Sequence, residues 1–385
     1  MAAIDKEQLR EIREAVRAIC VDFPGEYWRQ LDRERAYPSE FTRAMTDSGF
    51  LGALIPEEYG GSGLGLAAAA AILEEIHRCG CNAGACHAQM YTMGTLLRHG
   101  SSEQKRKWLP GIASGKLRLQ AFGVTEPGSG SDTLALRTTA RRDNGHYVVN
   151  GQKIWTSRAE HSDLMVLLAR TAPREEVERR TDGLSVLMVD MRDAPGLSIA
   201  PIRTMMNHAT TQVFLDDVRV PADHLIGREG QGFRYILDGM NAERTLIAGE
   251  CIGDGRWFID KAAAYAGERE VFGRPIGRNQ GVQFPIARAY ASVEAAALMV
   301  REAAEQFDQG LSTGKQANMA KLLAAEAAWE AAEACVQTFG GFGFAEEYDV
   351  ERKFRETRLY QVAPVSTNMI LSYIGQHVLG MPRSY

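Results

Sequence analysis

The chain has 385 residues, 45% of them hydrophobic and 24% charged, which suits two or three domains with sizeable cores and excludes a disordered or fibrous protein. Its net charge of −5, with both signs interspersed, sets up no basic field, so a nucleic-acid partner is not expected. The longest apolar run, around residues 66–73, is far shorter than the roughly 20 residues of a spanning helix. The charged helical period of the N-terminus also lacks the apolar core of a secretory signal, so a soluble, cytoplasmic protein without membrane insertion is expected.

In chain order, residues 1–120 are expected to form an α-helical domain. Apolar positions recur at helical spacing in EQLREIREAVRAI, AAAAAILEEIHRC and SSEQKRKWLPGIA, broken by the turn-rich EEYGGSGLG. Over residues 121–227 the period falls towards two and β-branched residues increase, as in HYVVNGQKIWTS, DLMVLLAR, LSVLMVD and QVFLDDVRV, with Asp143-Asn144-Gly145 as a hairpin signal. A small antiparallel β-domain is expected there, with TAPREEVERRTDG as a charged surface loop. Residues 228–385 return to Ala- and Glu-rich helical patterns, beginning with a helix from about 232 to 266, and are expected to form a four-helix bundle. The fold class is therefore α+β, in the order helical, β, helical.

Phosphate-binding fingerprints do not organise this order. There is no GxxxxGK[ST], and GGSGLG at 60–65 does not lie between a strand and a helix. Cys79, Cys81 and Cys86 stand beside His87 but lack the paired CxxC spacing of structural zinc sites, so free thiols and no metal are expected. In MNAERTLIAGECIG, Met240, Glu243 and Ile247 share one helix face. A carboxylate in such an apolar row is a base or the buried partner of an arginine, and Arg244 follows at once.

Five strings in order carry a resemblance: Thr125-Glu126-Pro127-Gly128-Ser129-Gly130-Ser131-Asp132; Asn150-Gly151-Gln152-Lys153-Ile154-Trp155-Thr156-Ser157; Asp217-Val218-Arg219-Val220-Pro221; Arg269 with Phe272-Gly273; and Gln337 with Gly340-Gly341-Phe342-Gly343. Each alone is ordinary turn, strand or cap chemistry. Together they resemble the acyl-CoA dehydrogenase family over nearly the whole chain. The resemblance implies an α-domain, a β-domain and a second α-domain that hold FAD. It also implies α,β-dehydrogenation of an acyl-CoA thioester to a trans-2-enoyl-CoA, transfer of electrons to electron-transfer flavoprotein, and a homotetramer.

Carried over by position, the resemblance implies that Phe122, Val124, Thr125 and Ser131 meet the flavin and pyrophosphate. Trp155 would stack on the isoalloxazine, and Ser157 would hydrogen-bond at its N5 and O4 edge. Arg269 would bind the FAD pyrophosphate across a subunit interface, with Phe272 and Gln280 nearby at the cofactor, Gln337, Gly340 and Gly341 would meet the adenine side, and Ser366 and Asn368 would follow the base loop. Ser131 and Arg244 would hold the substrate. Many members carry a catalytic Glu where Pro364 stands and a Gly where Val365 stands; the isovaleryl-CoA and long-chain branches instead place it on the helix just before the arginine, which is Glu243 here. Pro364 also has no N–H to offer the thioester oxygen. Open alternatives are an acyl-CoA oxidase or flavin monooxygenase on the same scaffold, a non-catalytic flavoprotein, and a cofactor-free helical scaffold. The helix-borne glutamate leans towards branched or longer acyl groups.

Overall fold

A reciprocal cap starts α1 (Lys6–Val21): the Asp5 carboxylate accepts from Gln8 N–H while the Gln8 side chain accepts from Asp5 N–H. The computed structural model describes residues 4–383, so the domain ends expected at 1–3 and 384–385 lie outside the described residues. After α1 come α2 (Gly25–Glu34), α3 (Ser39–Asp47), α4 (Leu66–Arg78), α5 (Gly84–His99) and α6 (Ser102–Ala113). The strands are β1 (Leu119–Gly123), β2 (Thr139–Asp143), β3 (His146–Ser157), β4 (Leu164–Arg170), β5 (Leu184–Asp190), β6 (Leu197–Pro201), β7 (Thr210–Pro221) and β8 (Leu225–Ile226). Then follow α7 (Gly232–Glu268), the short hairpin β9 (Glu270–Val271) and β10 (Arg274–Pro275), α8 (Gln280–Asp308), α9 (Gly314–Phe339), α10 (Val350–Arg358) and α11 (Thr367–Tyr373).

These elements form two compact units. One contains the N-terminal residues through Glu34, Leu64–Ala83 and the chain from Asn241 onward; the other contains Arg35–Gly63 and Gly84–Met240. Among the described residues no helix is long and apolar enough to cross a membrane.

In the second unit the sheet runs β6-β7-β3-β2-β4-β5-β8, and β1 pairs with β4. The β2–β3 hairpin turns at Asn144 (φ 44°) and Gly145 (φ 77°), the left-handed pair its sequence signals. Pairing is antiparallel except that β1 and the end of β2 run parallel to β4, a correction to the purely antiparallel sheet expected. The long chain between β1 and β4, which holds the β2–β3 hairpin, supplies the crossover that parallel pairing requires. Ala140, Tyr147, Val149, Met165, Leu167, Leu187, Val213 and Val218 fill the core of this sheet. α5 belongs to the same unit, tied by the Gln120 amide donating to Ala85 O at 3.0 Å.

The first unit is built on small residues. Ala320, Ala324, Ala328 and Ala331 of α9 repeat at helical spacing in a core shared with Ala289, Val293, Ala296 and Val300 of α8. Gly249 and Gly253 of α7, one turn apart, lie against the α4 backbone: a Cβ on Gly249 would stand 2.8 Å from Ala70 O, and one on Gly253 2.2 Å from Glu74 O. Gly253→Ala gains about 1 kcal/mol of helix propensity. The clash with fixed backbone costs more, about 2 kcal/mol or above, so the thermal midpoint of the variant is expected to fall; an unchanged midpoint would contradict the close helix contact.

Candidate functional site

On the sheet unit the chain leaves β1 and is held beside β3, where Ile154 N–H donates to Thr125 O at 2.9 Å. Glu126 and Ser129 close a turn by reciprocal backbone bonds of 3.2 and 3.0 Å. The Glu126 carboxylate points inward and accepts from Arg137 N–H (2.6 Å), Thr138 N–H (2.9 Å) and Lys153 Nζ (2.8 Å). Lys153, fully buried, also donates to Val124 O at 3.1 Å. This ion pair fixes the loop from below and leaves its other side clear. Gly128 and Gly130 have nothing within 4 Å of a Cβ position, Ser131 is exposed, and Val124 and Thr125 are half-buried.

Trp155 sits where the β3–β7 register shifts between Ile154 and Thr156. Its φ of 60° lies in the left-handed region, on the order of 1–2 kcal/mol above the strand conformation for a side chain of this kind. That bulge turns the indole out of the ladder, 57% exposed. Ser157 Oγ accepts from Asn207 Nδ2 at 2.9 Å, which leaves its own proton to donate. Phe122 is half-buried, its ring edge-on to Tyr91 at 5.3 Å. An open indole face, a hydroxyl donor and an uncrowded glycine loop fit a flat aromatic cofactor with a phosphate tail. Trp155→Ala is expected to raise the FAD dissociation constant about tenfold, read by fluorescence titration; an unchanged constant would remove Trp155 from the platform.

On the helical unit, Glu243 is 8% exposed among Ala242, Thr245, Leu246 and Ile247, all buried. Arg244 Nη1 donates to Asn241 Oδ1 at 2.9 Å, while its Nε is buried with no partner among the described residues. Burial pulls the Arg244 guanidinium below its ordinary value, opposed by Glu243 and Tyr373. Fully buried Lys321 of α9 donates to Tyr360 O and, at 2.7 Å, to Val365 O. Burial lowers the Lys321 ammonium, with Cys251 and Glu243 acting to raise it. The Tyr360 hydroxyl donates to Asp254 Oδ2 at 2.7 Å, and Asp254 Oδ1 meets His77 Nδ1 at 2.9 Å and the Lys353 ammonium. His77 Nε2 accepts from Ala83 N–H, which puts the ring proton on Nδ1, facing Asp254. The loop carrying Pro364, whose peptide with Ala363 is cis, is thus fastened at both ends. Ser366 caps α11 by accepting from Met369 N–H at 3.4 Å, and Asn368 is exposed.

The remaining expected cofactor residues lie at one exposed end of the helical unit. Arg269 lies over the Phe342 ring at 5.8 Å, and Tyr265, Phe339, Tyr348 and Phe342 form a chain of ring contacts that joins the ends of α7 and α9. This brings Arg269 to Gly340 and Gly341, where a Cβ would meet nothing within 4 Å. Phe272 (φ 54°) is 100% exposed at the β9–β10 tip, and Gln280 and Gln337 are exposed.

Sequence reasoning missed Glu126, Lys153, Asn207, Lys321 and the Asp254–Tyr360 pair as site supports. A signal existed for two of them: Lys153 takes an inward position on β3, and Lys321 interrupts an alanine face on α9. Both stand where parity or helical spacing asks for an apolar side chain.

The acid limb of stability follows from two of these carboxylates. Burial pushes Glu126 up, but the Lys153 ammonium and two amide donors outweigh it and hold the carboxyl below its ordinary value of 4.5. Asp254 is likewise pushed up by burial and held lower overall by His77 and Lys353, below its ordinary 3.8. Both groups bind protons more readily in the unfolded chain, so their contribution is complete above the unfolded values and is lost as pH falls through the lower folded ones. The thermal midpoint should be level above about pH 5 and fall steadily below about pH 4.5; a flat profile down to pH 3 would contradict the two pairings.

Known proteins resemble this chain over nearly its whole length. Three family profiles match: the acyl-CoA dehydrogenase N-terminal domain over residues 6–116, the middle domain over 121–218 and the C-terminal domain over 230–379. The chain is 36% identical over 387 residues to acyl-CoA dehydrogenase fadE12 of Mycobacterium bovis, covering 99% of this chain and 98% of that one. It is 34% identical to the glutaryl-CoA dehydrogenase of Desulfococcus multivorans, over 97% of this chain and 96% of that one. Among solved structures, a glutaryl-coenzyme A dehydrogenase in complex with glutaryl-CoA matches with a TM-score of 0.92 at 33% identity, covering 99% and 97% of the two chains. The FAD complex of PigA matches at 0.91 and 25%, covering 99% of this chain and all of that one.

Proposed function

This chain belongs to the acyl-CoA dehydrogenase family and is an oxidoreductase of acyl-CoA thioesters, and we propose that it dehydrogenates its substrate across the α,β-bond with FAD as oxidant and Glu243 as general base. The observation that carries this reading is a buried carboxylate on α7 in a chain whose loop position 364 holds proline.

Glu243 suits the role for electrostatic reasons. Arg244 and Lys321 are near enough to interact with the charge of the carboxylate that must take the α-proton. FAD, when bound, supplies the hydride acceptor for the β-hydrogen. Thr125, Ser131, Trp155 and Ser157 would hold the flavin side. Arg269, Phe272, Gln280, Gln337, Gly340 and Gly341 would hold the adenosine side, with Ser366 and Asn368 beside the loop. The Nε of Arg244, without a partner among the described residues, suits a hydrogen bond to the CoA arm.

Position 364 has no N–H to polarise the thioester oxygen, so the residues around it act through the loop's shape. Lys321 and Tyr360 hold that shape from beneath. Pro364→Ala is therefore expected to change turnover by no more than about threefold, far less than changing the base; a change of orders of magnitude would place position 364 in the chemistry.

We further infer a homotetramer with electron-transfer flavoprotein as oxidant of the reduced enzyme. Fully exposed Phe272, together with exposed Phe284 and Phe344, supports burial of this end by a second copy. The test is turnover of straight and branched acyl-CoAs with an electron-transfer flavoprotein or a dye as acceptor, followed by mass analysis. Loss of two hydrogens from the acyl group, coupled to reduction of the acceptor, is expected. Hydrogen peroxide formed in step with product, with the acceptor untouched, would assign an oxidase instead.

A further inference from the structure

Three of the six cysteines, Cys20, Cys79 and Cys81, gather in the helical unit outside the residues assigned above to cofactor and substrate. We propose that Cys79 is a peroxide-reactive thiol with Cys20 as its resolving partner, so that a hydroperoxide joins α1 to α4 by a disulfide. This site is independent of the dehydrogenase reading.

Helix register places the pair. Arg13 bonds Glu74 at 2.9 Å and Arg17 bonds Glu75 at 2.8 Å, which sets α1 and α4 side by side with increasing residue number in the same direction. One turn further along each helix stand Cys20, in the last turn of α1, and Cys79, the C-cap of α4, so the register sets the two residues beside one another. Gly80, at φ 81°, reverses the chain, with Gly80 N–H donating to His77 O and Cys81 N–H to Ile76 O. The reversal brings Cys81 to the same end of α1, where its thiol donates to Phe23 O at 3.7 Å. Among the described residues no group of three His, Cys, Asp or Glu side chains is arranged to hold a metal ion.

The three sulfurs are not equivalent. Cys20 and Cys81 are buried, whereas Cys79 is half-buried and open to a small oxidant. The Cys20 hydrogen bond holds the Cys79 thiol below its ordinary value; Arg17 and Arg78 add to this, against burial and Glu75. Cys20, bonded to both neighbours and buried, is pushed well above its own. Thiolate character and access therefore coincide at Cys79.

The chemistry balances with a hydroperoxide as the only co-reactant. The Cys79 thiolate attacks the outer peroxide oxygen, the O–O bond breaks, and the departing alkoxide or hydroxide takes a proton, leaving a sulfenic acid. The Cys20 sulfur then attacks the Cys79 sulfur, an S–S bond forms, and the sulfenic oxygen leaves as water with the Cys20 proton. Two thiols are oxidised, and one hydroperoxide is reduced to an alcohol, or to water if hydrogen peroxide is used.

The full chain is treated with one equivalent of hydrogen peroxide, alkylated, digested without reductant and mapped by mass. A Cys20–Cys79 peptide, removed by dithiothreitol and formed about tenfold faster than any product at Cys86, Cys251 or Cys335, is expected. Cys20→Ser should halt at a dimedone-trapped sulfenic acid on Cys79, and Cys79→Ser should abolish both products. A Cys79–Cys81 or Cys20–Cys81 disulfide in their place, overoxidation without any disulfide, or reactivity no greater than that of the other cysteines would overturn the proposal. The wild-type map decides this even if a variant does not fold.

Discussion

Glu243→Gln is expected to bind FAD and acyl-CoA as the wild type does and to lose flavin reduction by about 10⁴-fold, the upper range for removing a general base. Gln keeps the shape and the hydrogen-bonding capacity of Glu, so the buried position on α7 stays filled and the neighbouring core residues are not disturbed. What disappears is the negative charge near Arg244 and Lys321 and the carboxylate that would accept the proton. Stopped-flow reduction under substrate saturation separates the two effects, because a binding defect raises the half-saturation concentration and a lost base lowers the limiting rate. Reduction within about tenfold of wild type would show that another group takes the proton.

Lys153→Met should be the most damaging change on the sheet unit. Methionine fills the space of the lysine stem, but the Glu126 carboxylate, deeply buried, is left with two backbone donors and no counter-charge. Removing one member of a buried pair costs about 3–5 kcal/mol, whereas replacing both by apolar residues is often neutral. Burial already draws the Lys153 ammonium down to about 8, the mark of a charge that is kept by its partner. The variant is expected to lose roughly 3 kcal/mol of stability and to purify with little FAD, since the loop from Val124 to Ser131 loses its floor. The double variant Lys153→Met, Glu126→Leu should recover much of the stability but not the FAD. Denaturant unfolding of the three proteins, with flavin content measured by absorbance, checks both parts; a stable, yellow Lys153→Met protein would refute the role given to the pair.

The helical and β segments were legible because burial on one face imposes a period on the sequence. α7 was expected at about 232–266 and spans Gly232–Glu268, and the hairpin at Asn144-Gly145 needs the left-handed residues its sequence supplies. The parallel pairing of β1 with β4 was not legible, since partner choice between distant strands leaves no local mark. The site was legible only as motifs. TEPGSGSD and NGQKIWTS each contain one member of the Glu126–Lys153 pair, yet periodicity alone gives no reason to join them. Asp254 and Tyr360 lie 106 positions apart, and Lys321 reaches Val365 across 44. Such supports depend on tertiary contacts, and the sequence shows them only as polar residues in positions suited to apolar ones.

The role of Glu243 and the identity of the substrate class meet in one experiment, an anaerobic absorbance titration of the FAD-loaded protein with a panel of straight and branched acyl-CoAs. Bleaching of the flavin band by at least one thioester in the wild type, with a long-wavelength charge-transfer feature, and no bleaching of Glu243→Gln by the same thioester is the predicted result. A wild-type flavin that no acyl-CoA reduces, or a Gln variant reduced as readily as the wild type, would contradict the assignment.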